Sequence, residues 1–61
     1  MKYPIFREGM YLYTVIFFSA DRYWNIDDIP ANNPDEAISL AKDFFGNNIS
    51  PNYKIEQVIQ K

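Results

Sequence analysis

The longest apolar run of the chain extends from Met10 to Ser19 and is dense in β-branched and aromatic residues. Its length suits a strand better than a helix, and both alternate positions are apolar, as in a strand that is covered on both faces. The run is far shorter than the ~20 residues that cross a bilayer. A faint signal-peptide pattern ends at Phe18-Ser19-Ala20, but Phe18 is too large for a cleavage position. We therefore predict a central strand at residues 10–19.

The segment that follows predicts a β-hairpin. Ala20-Asp21-Arg22 has the composition of a turn. From Tyr23 to Asp28 apolar and polar residues alternate as in a half-buried strand, and Pro30, which has no backbone N–H, is expected to stop it. The second strand is therefore predicted at residues 23–29.

A helix start is the clearest local signal in the chain. Asn33 is suited to accept a hydrogen bond from a first-turn amide, Pro34 fits the first helical position, and Glu36 stands at the third, as in a capping box. Apolar residues then recur at helical spacing, and Gly46 predicts a left-handed C-cap. We predict a helix at residues 34–45, whose apolar stripe consists of Ala37, Ile38, Leu40, Ala41, Phe44 and Phe45.

The rest of the chain predicts a loop, a third strand and an N-terminal arm. Residues 47–52 have loop composition, and residues 53–59 have strand composition and begin with strict alternation. One domain over residues 1–61 with the order strand, strand, helix, strand predicts an α+β ββαβ fold. Its three-stranded antiparallel sheet should have the order 2-1-3, because the first strand is apolar on both faces and belongs in the centre, and the helical link then crosses over in its preferred hand. Residues 1–9 include the apolar Tyr3, Ile5 and Phe6, so we expect an arm that packs on the domain.

A single helix covers only one face of such a sheet, so strand parity determines what the other face carries. A hairpin loop of two or four residues pairs Phe17 with Trp24 and Phe18 with Tyr23. An odd loop would shift the second strand by one residue and move Trp24 to the other face. Face one, which holds Tyr11, Tyr13, Val15, Phe17, Trp24 and Ile26, is the better core. Face two carries Leu12, Thr14, Ile16, Phe18, Tyr23, Asn25 and Asp27.

Composition narrows the chemistry open to the chain. It has no Cys and no His, a net charge of −2 and 18% aromatic residues. Without Cys and His it lacks disulfides, thiolate nucleophiles, the usual zinc ligands and the commonest general base. The acidic balance offers no broad basic surface to nucleic-acid phosphates. We therefore expect a cytoplasmic protein that is not an enzyme and binds no metal or cofactor.

The small size of the chain predicts association. Scaling rules give roughly 6,300 Å² of surface hidden on folding, and burial of its apolar part contributes about 95 kcal/mol. Ordering the 61 residues costs about 90 kcal/mol, so the two terms nearly cancel. Chains this small usually add disulfides, a metal or a partner subunit. Because the composition excludes the first two, a partner remains.

Carboxylates and aromatic rings raise two further possibilities. Asp27 and Asp28 are adjacent on a strand, so their side chains should point to opposite faces, and Asp35 and Glu36 are accounted for by helix capping. Neither pair predicts a metal or acid–base site. An aromatic sheet face is also typical of proteins that stack single-stranded nucleic-acid bases, which is the alternative function. The basic residues that should flank the rings are scattered among more numerous acids.

The helix start also carries a resemblance. Residues 31–42, ANNPDEAISLAK, follow an aromatic-rich hairpin with Trp24 in its second strand. This arrangement is similar to short strand-strand-helix-strand proteins encoded by phages, prophages and other mobile elements. The resemblance covers about half of the chain and implies no catalytic residues. Several proteins of that kind bind a host enzyme or defence complex and block it, anti-CRISPR proteins among them, so the resemblance implies an inhibitor of a host factor.

Together these observations predict a non-enzymatic protein-binding module that forms a homodimer. Face two is too apolar to remain exposed to solvent. Three elements could cover it: the N-terminal arm, a second copy of the chain or a different, host protein. We expect neither a nucleic-acid nor a membrane partner. The predicted contact residues are the anchors Leu12, Ile16, Phe18 and Tyr23, with Arg22 and Asp27 at the rim.

Overall fold

The computed structural model describes residues 4–61 of the chain. In chain order the elements are β1 (Tyr11–Ser19), β2 (Arg22–Ala31), α1 (Pro34–Asn48) and β3 (Lys54–Gln60). The strands form one antiparallel sheet with the order β2-β1-β3. The predicted α+β ββαβ fold and its strand order are thereby confirmed.

The hairpin between β1 and β2 closes through two residues. Ala20 and Asp21 both have positive φ, 52° and 58°. Two such residues make the type of tight turn whose twist matches that of the flanking strands. The predicted pairs, Phe17 with Trp24 and Phe18 with Tyr23, are confirmed.

The predicted end of β2 before Pro30 is wrong. The strand continues through Pro30, which lies opposite Leu12, to Ala31. Because β2 is an edge strand, only one of its sides takes part in the sheet ladder, and a residue without N–H is tolerated there.

A bulge in β2 decides which of its residues enter the core. Ile26 and Ile29 are three positions apart, yet both pack into the core cluster. The β1–β2 register shifts opposite Thr14, and Asp28 takes a φ of 56° at this point. A bulge sets two residues against one on the neighbouring strand. Asp27 and Asp28 therefore share face two, and the expectation that they point to opposite faces is wrong.

The third strand contains a similar irregularity. Ile55 and Val58 both pack against the core although they are three positions apart. The register with β1 shifts here, so that Glu56 is the extra residue. The bulge keeps both apolar side chains on face one.

The core lies between face one and α1. The ring of Phe17 stacks on that of Phe45 with centroids 4.3 Å apart and planes 12° apart, and Tyr53 meets both rings edge-on. Trp24 lies edge-on to Phe45 at 5.8 Å. The fully buried apolar residues are Tyr13, Val15, Phe17, Ile29, Ala31, Ala37, Ala41 and Phe45.

The helix begins where the sequence predicts. The side chain of Asn33 accepts a hydrogen bond from the Glu36 amide at 2.9 Å, and Pro34 occupies the first helical position. The Glu36 carboxylate accepts from the backbone and side-chain amides of Asn32 at 3.3 Å. The Glu36 amide, a first-turn donor with no partner within the helix, is satisfied in this way.

The helix ends later than predicted. It passes through Gly46, which does not adopt a positive φ, and ends at Asn48. The carbonyl of Phe45 accepts from the amides of Ile49 and Ser50 and so satisfies part of the last turn. Gly46 is therefore an ordinary helical residue, not the C-cap.

The N-terminal arm does not bury its apolar residues as expected. Ile5 and Phe6 are 76% and 54% exposed, and Tyr3 lies outside the described residues. A turn closed by the Met10 amide on the Arg7 carbonyl, with Gly9 at φ 90°, leads into β1. The arm lines an open hollow of about 570 Å³ beside the helix start, with the lining residues Pro4, Ile5, Arg7, Glu8, Met10, Asn32 and Glu36.

Candidate binding surface on face two

Face two draws on all three strands. β1 contributes Leu12, Ile16 and Phe18, and the confirmed hairpin register places Tyr23 and Asp27 of β2 beside them. β3 adds three residues that the sequence analysis did not assign to a face. Their partners on β1 fix their positions: Lys54 lies opposite Phe18, Gln57 opposite Ile16, and Ile59 opposite Thr14.

The apolar side chains of face two remain in contact with solvent. Tyr23 is 64% and Ile59 40% exposed, whereas Leu12, Ile16 and Phe18 on the central strand are half-buried. Three strands at a spacing of ~4.8 Å and about seven residues at ~3.4 Å span a flat area of about 340 Å². Face two thus presents a contiguous patch with an apolar centre.

The hairpin end of the patch is aromatic. The rings of Phe18 and Tyr23 meet edge-to-face, with centroids 5.0 Å apart and planes at 62°. Lys54 lies across β1 from Tyr23, on the other side of Phe18. Two partly exposed rings with a cation beside them form a corner that suits an aromatic or cationic group of a binding partner.

The opposite end of the patch is held by polar contacts. The Thr14 hydroxyl donates to an Asp27 carboxylate oxygen at 2.8 Å, and Lys61 forms an ion pair with Asp28 at 2.7 Å. The Lys61 amide donates to the Leu12 carbonyl and so extends the β1–β3 ladder by one residue. The two edge strands are therefore joined across β1.

The ion pair also affects the titration of Lys61. The hydrogen bond to Asp28 raises the pKa of Lys61, desolvation opposes it, and the charges of Asp28 and Asp27 add to the increase. That both carboxylates act on Lys61 agrees with their shared position on face two.

Arg22 does not join the other predicted contact residues. Its guanidinium carbon lies 4.3 Å from the centroid of the Trp24 ring, which belongs to face one. The Trp24 indole N–H in turn donates to the Ser19 carbonyl at 3.0 Å. Placing Arg22 at the rim of face two was wrong, because strand alternation gives it the parity of Trp24.

Five of the six predicted contact residues thus lie on one surface, and β3 completes it. Lys54, Gln57 and Ile59 could have been assigned by pairing β3 antiparallel with β1, apart from the bulge at Glu56. Residues 4–61 contain no group of three or more acidic, His or Cys side chains arranged to hold a metal ion. Within the same range, no helix has the length and apolar character needed to cross a membrane.

Comparison with known proteins found no match, whether to a family model, a curated protein or a solved structure. The functional argument therefore depends on the surface itself.

Proposed function

We propose that this chain is a non-enzymatic protein-binding module and that face two is its binding surface. The observation that carries the proposal is the exposure of Tyr23 and Ile59 beside the half-buried Leu12, Ile16 and Phe18. A contiguous apolar patch of this kind, bordered by polar groups, is typical of protein interaction sites.

The composition of the patch supports a protein partner. Its centre is aliphatic and aromatic, and its edges carry the charged residues Asp27, Asp28 and Lys54. Interfaces usually combine a dry centre that contains aromatic anchors with a polar rim. Phe18 and Tyr23 are the anchors we assign, because they are the largest side chains of the patch.

The absence of His and Cys from the sequence supports a stoichiometric role over a catalytic one. Without them, acid–base or nucleophilic chemistry would depend on carboxylates, Lys or Tyr. Inhibition of a host factor is the specific role that we propose for the binding module, and its support is the resemblance of residues 31–42 to phage-encoded proteins. Phage genes beside the coding gene would favour that role, and metabolic genes would count against it.

Site-specific photo-crosslinking tests the binding surface. A benzophenone amino acid replaces Tyr23 on face two or, as the matched control, Ser39 on the exposed side of α1. After irradiation in the source cell, mass spectrometry identifies the protein that is cross-linked to the benzophenone. We expect one defined protein, either this chain or another, to be attached at position 23, and its loss when Ile16→Glu is added. Equal labelling at both positions, or no adduct at position 23, would overturn the proposal.

Single-stranded nucleic-acid binding is the alternative, and the corner of Phe18, Tyr23 and Lys54 favours it. Two stacked bases and one phosphate would find partners there. Against it, Asp27 and Asp28 share the face and the net charge is −2. A fluorescence titration with labelled oligonucleotides at low salt decides between the two. We expect no binding, whereas salt-sensitive binding lost in Tyr23→Ala would establish the alternative.

A further inference from the structure

Resting on the proposed function, we infer that the partner of face two is a second copy of this chain. The two sheets pack face to face, and the two-fold axis runs parallel to β1. The β2 edge of one subunit then covers the β3 edge of its partner.

The edges of face two carry opposite charges. The β2 edge holds Asp27 and Asp28, whereas the β3 edge holds Lys54 and Lys61, with Glu56 in the bulge between them. A symmetric dimer uses the same surface on both subunits, so the symmetry axis decides which edges meet. Opposite charges that meet across an interface favour association and fix its register.

Two orientations of the axis pack one face two onto another with the strands of the two sheets aligned. With the axis perpendicular to the strands, β2 would cover β2 and β3 would cover β3, so that Asp27 and Asp28 face an equally acidic edge and Lys54 approaches the partner's Lys61. With the axis parallel to β1, residues opposite the same β1 residue overlie each other, so Lys54 covers the partner's Tyr23 and Ile59 covers the partner's bulge at Asp27 and Asp28. Lys61, which is paired with Asp28 of its own chain, lies one residue pair further along. Only the parallel axis brings the edge that carries the cations onto the edge that carries the carboxylates, and Lys54 onto an aromatic ring.

The central strand fits the parallel axis as well. Under this symmetry each β1 residue on face two lies over its own counterpart, so Leu12 meets Leu12 and Ile16 meets Ile16. Sheets that pack face to face are ~10 Å apart, a gap that apolar side chains from both layers fill. The same contact covers Ile59, which is 40% exposed in one chain.

The size of the patch sets the strength of the dimer. A flat area of about 340 Å² per subunit is less than half of the ~800 Å² that each partner of a standard interface buries. The dimer is therefore weak and concentration-dependent, and a larger partner that covers more than face two can displace the second copy.

Sedimentation equilibrium of the purified chain, from about 10 µM to about 1 mM, tests the second copy. We expect a monomer of 7.2 kDa at the low end and a dimer at the high end. Ile16→Glu places two carboxylates against each other at the axis and should weaken dimerisation about 100-fold or more. Ser39→Glu adds the same charge on the far side of α1 and should change nothing. Circular dichroism confirms that both variants are folded.

Thiol cross-linking tests the axis, because the chain has no cysteine of its own. Asn25 and Gln57 are exposed and lie on either side of Ile16. With the axis parallel to β1, Asn25→Cys in one subunit lies over Gln57→Cys in the other. A reagent that spans ~10 Å should therefore join a mixture of the two variants much faster than either variant alone.

Three results would overturn the inference. Rapid cross-linking of Asn25→Cys alone would place β2 on β2 and reject the parallel axis. A dimer that Ile16→Glu leaves intact would place the contact elsewhere, for example at the exposed edge of β3. A wild-type chain that stays monomeric throughout, while position 23 captures a different protein in cells, would reject the second copy and still support the proposed function.

Discussion

The two faces of the sheet share β1 but differ in what packs on them. On face one, α1 excludes solvent from Val15 and Phe17 completely. On face two, the adjacent residues Ile16 and Phe18 are as apolar but remain half-buried. The difference teaches that the amount of apolar surface in a strand does not determine its burial, which depends on a covering element. Face one has that element within the chain, and we propose that face two obtains it by association.

The largest expected effect comes from truncating adjacent phenylalanines. Phe17→Ala removes a fully buried ring stacked on Phe45 and should cost about 3–5 kcal/mol. That cost is comparable to the whole stability of a 61-residue domain, about 3–9 kcal/mol. Phe18→Ala removes a half-buried ring and should cost about 1 kcal/mol. Urea unfolding of dilute protein measures both, and equal losses would contradict the assignment of the two faces.

The β2 bulge keeps Ile29 on face one, so disturbing it should give an intermediate effect. Asp28 has a φ of 56°, which glycine adopts freely and a β-branched residue does not. Asp28→Val should therefore be less stable than Asp28→Gly by about 1–2 kcal/mol. Both variants lose the ion pair with Lys61, so the difference isolates the backbone. Thermal unfolding measures it, and two variants of the same stability would show that the bulge is not as described.

The helix that covers face one depends on its N-cap. Asn33→Ala removes the acceptor for the Glu36 amide and should cost about 1 kcal/mol. Asn33→Asp keeps an acceptor in the same place and serves as the control, with little change expected. Urea unfolding distinguishes them. If the alanine variant is as stable as the control, the cap does not contribute to covering face one.

The smallest expected effect is at the exposed ion pair on face two. Because its partners raise the pKa of Lys61 in the folded chain, the pair stabilises the fold at neutral pH, and this contribution is lost as the pH rises through the raised pKa. The melting temperature of Lys61→Met should therefore be slightly lower than that of wild type near neutral pH and equal to it in strongly alkaline solution. Lys42→Met, on the exposed side of α1, controls for the change in net charge. A difference in melting temperature between Lys61→Met and wild type that grows with pH would contradict a stabilising ion pair at Lys61.

The elements with strong local signals were predictable from the sequence. The helix start follows from Asn33-Pro34, whose cap geometry needs only neighbouring residues. The strand order follows because the apolar run of β1 has to lie in the centre, and the hairpin pairs follow once the loop is taken to have an even number of residues. These features required no knowledge of distant contacts.

The features that failed are set by contacts between elements. Gly46 permits a helix end without requiring one, and Pro30 is tolerated because β2 lies at the edge of the sheet. The bulges arise because Ile26 and Ile29, like Ile55 and Val58, have to reach the same core. The spacing of two apolar residues by three within a strand was the available signal. This spacing indicates a bulge only once the helix is known to cover face one.

The most direct test of the central claim, that face two is where this chain associates, is a dilution series followed by NMR. Methyl resonances report on both faces at once: Leu12 and Ile16 on face two, Val15 and Ile29 on face one. On dilution from about 1 mM to about 10 µM, we expect the face-two methyl resonances to shift along one binding curve while the face-one resonances stay in place. Unchanged face-two resonances over that range, or shifts that occur instead at the Ile5 methyl groups of the arm, would contradict the self-association of face two.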